Sequence, residues 1–197
     1  MKKVAIFDFD GTLIKGDSLW PFLIYASSAV AVLAAVIEGL ARFAVMRAMK
    51  RTAESRRTFV KGFLLRRILK GKKRETLKDA AFKVFMWREI NEPIMQKLQE
   101  HHLKGDILVF ASGSLDLYLP ELVRDIPHNA LICTEVGVEN GIVTGEMIKG
   151  NCVRKGKAAR VKAWMDEHGP FEDSFGYGNA PHDLAMLDLV KHRVVVG

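Results

Sequence analysis

The chain has 197 residues, 49% hydrophobic and 27% charged, a composition that suits one globular domain with a smaller insert and excludes a disordered or collagen-like chain. Two cysteines, Cys133 and Cys152, are too few and too far apart for a disulfide scaffold or a Cys-rich zinc module, and they suit a reducing compartment. Net charge is +7 but unevenly spread: 13 of the 30 basic residues lie between Arg42 and Arg74 beside one acid, Glu54, so that segment carries +12 and the rest of the chain −5. Such a block attracts anions: a phosphorylated substrate, nucleic acid or an anionic membrane surface.

The N-terminal run MKKVAIF reads as a short buried strand over Lys3–Phe7. It meets Asp8 and Asp10 before reaching the length of a secretory signal core, so a cytoplasmic protein is expected. From Ser18 to about Lys70 the texture is helical, and Gly71-Lys72-Lys73 reads as a turn before a helix over about 74–87. Pro93 suits the first turn of a helix through Leu103. Asp106–Ala111 is an apolar strand ending at Ser112-Gly113-Ser114, and Leu115–Val123 reads as a helix. Ala130–Thr134 is strand-like, and Glu135–Met147 alternates around Asn140-Gly141, a hairpin signal. Lys155–His168 is an amphipathic helix, Asp173–Tyr177 a strand, Leu184–Leu189 a short helix and Val194–Val196 a final strand.

Strands alternating with helices predict an α/β fold with a parallel, Rossmann-like sheet. The helix-only stretch interrupts that alternation and reads as an inserted all-helical cap over 16–87, with the core formed by 1–15 and 88–197 and carrying the small β-hairpin.

The chemistry gathers at strand ends, where ligands of such sheets bind. Asp8 and Asp10 are two residues apart and so point the same way. Carboxylates that close repel unless a cation or a shared proton compensates, and oxygen ligands of this kind suit Mg²⁺. A lone pair of aspartates opening a turn would look the same. Ser112 and Gly113 could hold a phosphate at a helix start, or merely cap that helix. Lys157 could neutralise phosphate charge or be a solvated lysine. Asn179 and Asp183, after the strand DSFGY, offer an amide and a carboxylate, or a turn and a helix cap.

Taken in order, FDFDGT, Ser112 in FASGS, Lys157 in RKGKAARV and Asp183 in YGNAPHDLAML resemble the four motifs of the haloacid dehalogenase superfamily of phosphatases. The helical insert after the first motif is similar to the C1 cap of its phosphoserine-phosphatase-like branch, subfamily IB. The resemblance implies a phosphate-ester substrate, Asp8 as nucleophile forming an aspartyl-phosphate, and Asp10 as general acid and then base. It implies Mg²⁺ on Asp8, the Asp10 carbonyl, Asn179 and Asp183, with Ser112, Gly113 and Lys157 on the phosphoryl oxygens and Thr12 supporting the nucleophile loop. Asn179 departs from the pattern, which commonly has Asp there. That removes one negative charge and leaves open a catalytically weak member that binds a phosphorylated or membrane ligand.

Asp17 is placed either to read the substrate or to cap the first helix of the insert; the helix cap is the expectation. Ser18–Ile37 carries no charge over 20 residues, about a membrane span, but it lies between two halves of one catalytic site. It is expected to be a buried helix of the insert, with contact to an anionic membrane as the alternative. Some lipid-phosphate phosphatases of the superfamily have apolar cap helices, so an amphipathic phosphate ester is expected, with a small metabolite phosphate as the alternative. Nucleic acid is not expected, because Phe43, Phe59 and Phe63 fall at helical spacing, like a core stripe rather than stacking platforms.

Overall fold

The computed structural model describes residues 2–48 and 52–196, so Lys50 and Arg51 of the basic block lie outside the described residues. A five-stranded parallel sheet runs in the order β5-β4-β1-β8-β9. Its strands are β1 (Lys3–Phe7), β4 (Ile107–Leu115), β5 (Ala130–Thr134), β8 (Asp173–Asn179) and β9 (His192–Val196). β1 lies in the middle, pairing Phe7 with Phe110 of β4 and with Tyr177 of β8. The three motif-bearing strands are therefore neighbours.

Alternation along β1 sends its side chains to opposite faces. Val4 and Ile6 pack with Val109, Ala111 and the helices α7 (Arg154–His168) and α8 (Leu184–Leu187), through Val161, Met186 and Leu187. Ala5 and Phe7 face the other layer with Phe110 and with Leu98 of α5 (Glu92–Leu103). Both faces of the sheet are covered, as a parallel sheet requires, and the expected α/β architecture is the observed one.

Between β1 and α5 the chain leaves the sheet as α1 (Leu19–Ala26), α2 (Ala29–Ala48), α3 (Ala53–Leu69) and α4 (Leu77–Trp87). A two-stranded ribbon of β2 (Ile14–Lys15) and β3 (Glu89–Ile90) ties the two connecting segments together by pairing Ile14 with Ile90. The hairpin of β6 (Val136–Glu139) and β7 (Ile142–Met147) turns at Asn140 and Gly141, both with positive φ, as the dipeptide predicts. This hairpin packs against α3: a Cβ on Gly145 would stand 2.7 Å from the Arg66 Cα.

Two local expectations are corrected. β4 continues through Ser112-Gly113-Ser114 to Leu115, with an irregularity in its pairing after Ala111. The helix read over Leu115–Val123 is only the single turn α6 (Leu119–Leu122). Ser112 and Gly113 therefore sit on an irregular strand end, not at a helix start. The apolar stretch read as a buried helix is also different. It is split between α1 and α2, and α2 buries only Val32, Ala35 and Gly39.

Candidate active site

A cleft of about 460 Å³ opens at the carboxyl ends of β1, β4 and β8. It is lined by Asp8, Asp10, Ser112, Gly113, Lys157, Asn179 and Asp183 from the sheet side, and by Asp17, Leu19 and Lys61 from the helical insert. All the motif residues read from the sequence meet here except Thr12, which stands just behind the wall.

Asp8 and Lys157 form the centre. The Lys157 ammonium lies 2.6 Å from Asp8 Oδ1 and 2.6 Å from Asp183 Oδ1, with all three side chains buried. Lys157 reaches this point from the first turn of α7, so it is not the solvated lysine its sequence context allowed. Thr12 donates its hydroxyl to Asp8 Oδ2 at 3.1 Å, so the other carboxylate oxygen is held as well. Burial pushes the Asp8 carboxyl up to about 7, against the pull of Lys157. Burial also works against the charge on Lys157, but Asp8 and Asp183 outweigh it and hold the ammonium above its usual range.

Asp10 sits in a different environment. Its Oδ1 accepts the Ser18 N–H at 2.8 Å, and its Oδ2 accepts the Ser114 hydroxyl in a short contact. Behind Ser114, the Tyr118 hydroxyl donates to Ser114 Oγ at 3.0 Å and Ser18 Oγ donates to Tyr118 at 3.1 Å. Three hydroxyl protons thus run in one direction, Ser18 to Tyr118 to Ser114, and end on the Asp10 carboxylate. Burial raises the Asp10 pKa, and the Ser114 and Ser18 bonds work against that rise. Ser18, Ser114 and Tyr118 were missed in the sequence because they share no local spacing: 96 residues separate the two serines.

Asn179 and Asp183 close the fourth side. Asp183 stands at the N-terminal end of α8 without a side-chain cap bond to it, and takes the Asn179 N–H on Oδ2 at 3.0 Å. Asn179 Nδ2 donates to the Asp10 carbonyl at 3.1 Å. Gly11 makes room for this approach: it holds φ +73°, and a Cβ there would stand 2.8 Å from Asn179 Nδ2. Asn179 Oδ1 is buried and finds no hydrogen-bond partner.

That orphaned oxygen bears on a divalent cation. Among the described residues, no group of three or more His, Cys, Asp or Glu side chains is arranged to hold a metal. The cleft instead offers two carboxylates, Asp8 and Asp183, with two neutral oxygens, Asn179 Oδ1 and the Asp10 carbonyl. An all-oxygen set with few charges fits Mg²⁺, which keeps several waters and needs only one or two carboxylates. An unsatisfied buried acceptor is what such an ion would engage.

Asp17 caps α1: its Oδ1 accepts the Leu19 N–H at 2.9 Å and the Trp20 N–H at 3.3 Å. It also faces the cleft. Lys61, hidden in the sequence among 13 basic residues, crosses from α3 to bond the Gly113 carbonyl at 2.6 Å and Asn151 Oδ1 at 2.9 Å. Burial lowers its pKa to about 8, while Asp10 and Asp17 pull it back up.

Known proteins similar to this chain include phosphatases. A curated histidinol-phosphatase of Neisseria meningitidis is 27% identical over 208 residues, covering 100% of this chain and 90% of the relative. A probable phosphatase of Mycobacterium tuberculosis is 31% identical over 97 residues, 49% of this chain and 33% of that one. In fold, the chain is similar to a protein of unknown function from Bordetella pertussis Tohama I, with TM-score 0.76 and 21% identity over 98% of this chain and 89% of that one. It is also similar to a phosphoserine phosphatase solved as a phospho-aspartyl intermediate analogue, with TM-score 0.63 and 16% identity over 98% and 86%. The family model for haloacid dehalogenase-like hydrolases matches residues 5–188, from β1 to the end of the fourth motif, and the chain belongs to that family.

Proposed function

We propose that this hydrolase is a Mg²⁺-dependent phosphomonoesterase that works through an aspartyl-phosphate on Asp8. The observation that carries the reading is the pairing of two unlike carboxylates in one cleft: Asp8 held by Lys157 and Thr12, and Asp10 held by Ser18 and Ser114. Asp8 attacks the phosphorus in line and the bond to the ester oxygen breaks. Asp10 gives its proton to the leaving oxygen, then takes one from the water that attacks the phosphorus of the acyl phosphate. Inorganic phosphate leaves and Asp8 is restored. Ser112, Gly113 and Lys157 hold the phosphoryl oxygens in this scheme, and Asp8, the Asp10 carbonyl, Asn179 and Asp183 are the residues to hold Mg²⁺. When bound, the ion supplies positive charge against the phosphoryl oxygens. The test is phosphate release from a panel of esters with Mg²⁺. No release from any ester would favour a member that binds its ligand without turnover.

Within this class we propose an amphipathic phosphate ester, handled at the cytoplasmic face of an anionic membrane by the helices over 16–87 acting as a cap. α2 is the one described helix long and apolar enough to cross a bilayer. Yet its inner face is packed, with Gly39 in contact range of Val60 and Phe63 of α3. Its outer face carries Val30, Leu33, Ile37 and Val45, all at least 60% exposed. A helix packed on one side and apolar on the other suits lying in a membrane surface. α2 and α3 also carry Arg42, Arg47, Arg56, Arg57, Arg66 and Arg67, of which Arg66 pairs with Glu146 and Arg67 with Glu38. A second copy of the chain would bring like charges together, whereas anionic headgroups complement them. The free, buried thiols of Cys133 and Cys152 suit a cytoplasmic location. Flotation with phosphatidylglycerol vesicles tests the contact: wild type should float, Ile37→Glu should not, and equal behaviour on neutral and anionic vesicles would oppose it.

The end-to-end match to a protein named histidinol-phosphatase favours a second reading, a small soluble phosphate ester. Histidinol phosphate, phosphoserine and lipid phosphates in one panel separate the two.

A further inference from the structure

A second cavity, about 210 Å³, lies between α1, α2 and α3. Its wall is mostly apolar, with Trp20, Leu23, Leu40, Phe43 and Leu64, but includes Arg57, and Leu19 and Lys61 stand where it adjoins the catalytic cleft. Those last two residues stand in the walls of both spaces. The Lys61 ammonium is turned to Gly113 and Asn151 on the cleft side, which leaves its methylene stem for the apolar side. The cavity reaches the surface at Trp20 and Leu40, 42% and 61% exposed, and Leu40 belongs to the exposed side of α2.

We infer that this cavity is a subsite for the hydrocarbon end of the substrate, so that the protein selects phosphate monoesters of alkyl alcohols. The inference rests on the phosphatase reading for the polar end and adds the chemistry of the other. An apolar cavity of roughly 150 Å³ already binds benzene, so this one has room for a chain of several methylenes. Its position decides the occupant. Leu19 and Lys61 line both spaces, so an ester chain that runs along them from a phosphate among Asp8, Ser112 and Lys157 enters this cavity and leaves water.

The test compares ethyl phosphate with octyl phosphate below its micelle concentration, with Mg²⁺. Burial of a methylene corresponds to about a fourfold gain, so with about four of the six added methylenes buried kcat/KM should rise roughly two hundredfold between the two esters. Leu40→Trp, which fills the mouth, should reduce that ratio to below about tenfold. Equal kcat/KM for both esters, or a ratio unchanged in Leu40→Trp, would overturn the subsite while leaving the phosphatase reading intact. If neither ester is hydrolysed while another ester of the panel is, the inference falls; if no ester is hydrolysed, the phosphatase reading falls as well, and Trp20 decides the subsite alone. Tryptophan emission should shift saturably with octyl phosphate and not with ethyl phosphate, the shift should be absent in Trp20→Phe because Trp87 and Trp164 do not line the cavity, and no shift would overturn the inference.

Discussion

The Lys157 ammonium stands 2.6 Å from Asp8 Oδ1, and that distance joins the third motif to the first across 149 residues of chain. The same nitrogen neutralises Asp183. Lys157→Met would leave two buried carboxylates facing one another without a cation. Breaking a buried ion pair from one side costs about 3–5 kcal/mol. The expected result is an unfolding free energy in urea lowered by that amount and loss of turnover; a free energy unchanged from wild type would contradict this account of the centre.

Lys61 ties the helical insert to the end of β4 at Gly113, and burial, opposed by Asp10 and Asp17, lowers its pKa from 10.5 to about 8. Between those values the unfolded chain binds the proton and the folded chain does not. Stability linked to Lys61 is therefore fully present above pH 10.5 and is lost as pH falls through about 8. Relative to Lys61→Met, the wild type should gain on the order of 3 kcal/mol across that window. Urea titrations of both proteins at pH 7.5 and 10 check the slope, and parallel curves would refute it.

Much of this architecture is legible in the chain. β1 is a run of β-branched and aromatic residues stopped by aspartates, and Asn140-Gly141 fixes the hairpin, so both follow from local chemistry. The placement of Asp8, Asp10 and Ser112 around one cleft follows from strand ends in a parallel sheet, whereas that of Lys157 on α7 and Asp183 before α8 is what the resemblance of the ordered motifs implies. Two features do not follow. The end of β4 is irregular at Ser112–Ser114, because the chain there pairs with β5 at Leu115–Thr134 instead of turning directly into a helix. Pattern alone does not show that long-range pairing. The exposed side of α2 also escapes the sequence, because apolar periodicity shows which faces are apolar and not which of them is covered.

Tyr118 is fully buried, and its hydroxyl joins the Ser18 and Ser114 hydroxyls behind Asp10. Tyr118→Phe removes one partner of Ser18 and a donor to Ser114, while Ser18 Oγ keeps Ser114 Oγ at 3.1 Å. Loss of a buried hydrogen bond whose partners stay satisfied costs about 0.5–1.5 kcal/mol. The variant should lose that much stability in urea, and kcat should fall about tenfold as Asp10 loses its fixed orientation. Unchanged kcat would mean that the network supports the fold alone.

Asn179 presents a buried oxygen without a partner and an amide donated to the Asp10 carbonyl. Asn179→Asp replaces that donor with a carboxylate beside Asp10 and Asp183. The metal-free protein should therefore be less stable than wild type by about 1–3 kcal/mol, and Mg²⁺ should bind about tenfold more tightly as the site gains a charge. Calorimetric titration with Mg²⁺, read beside thermal unfolding with and without the ion, checks both parts. Equal Mg²⁺ affinity in the two proteins would show that Asn179 is not a ligand.

The central claim is that Asp8 carries the phosphoryl group. Phosphate release from the ester panel with Mg²⁺, wild type beside Asp8→Asn, tests it most directly, with acid-quenched samples analysed for phosphate on the peptide containing Asp8. The account predicts release by the wild type, a phosphorylated Asp8 peptide, and loss of both in Asp8→Asn by at least a thousandfold, the scale on which removal of a covalent nucleophile acts. Release that persists undiminished in Asp8→Asn would contradict it.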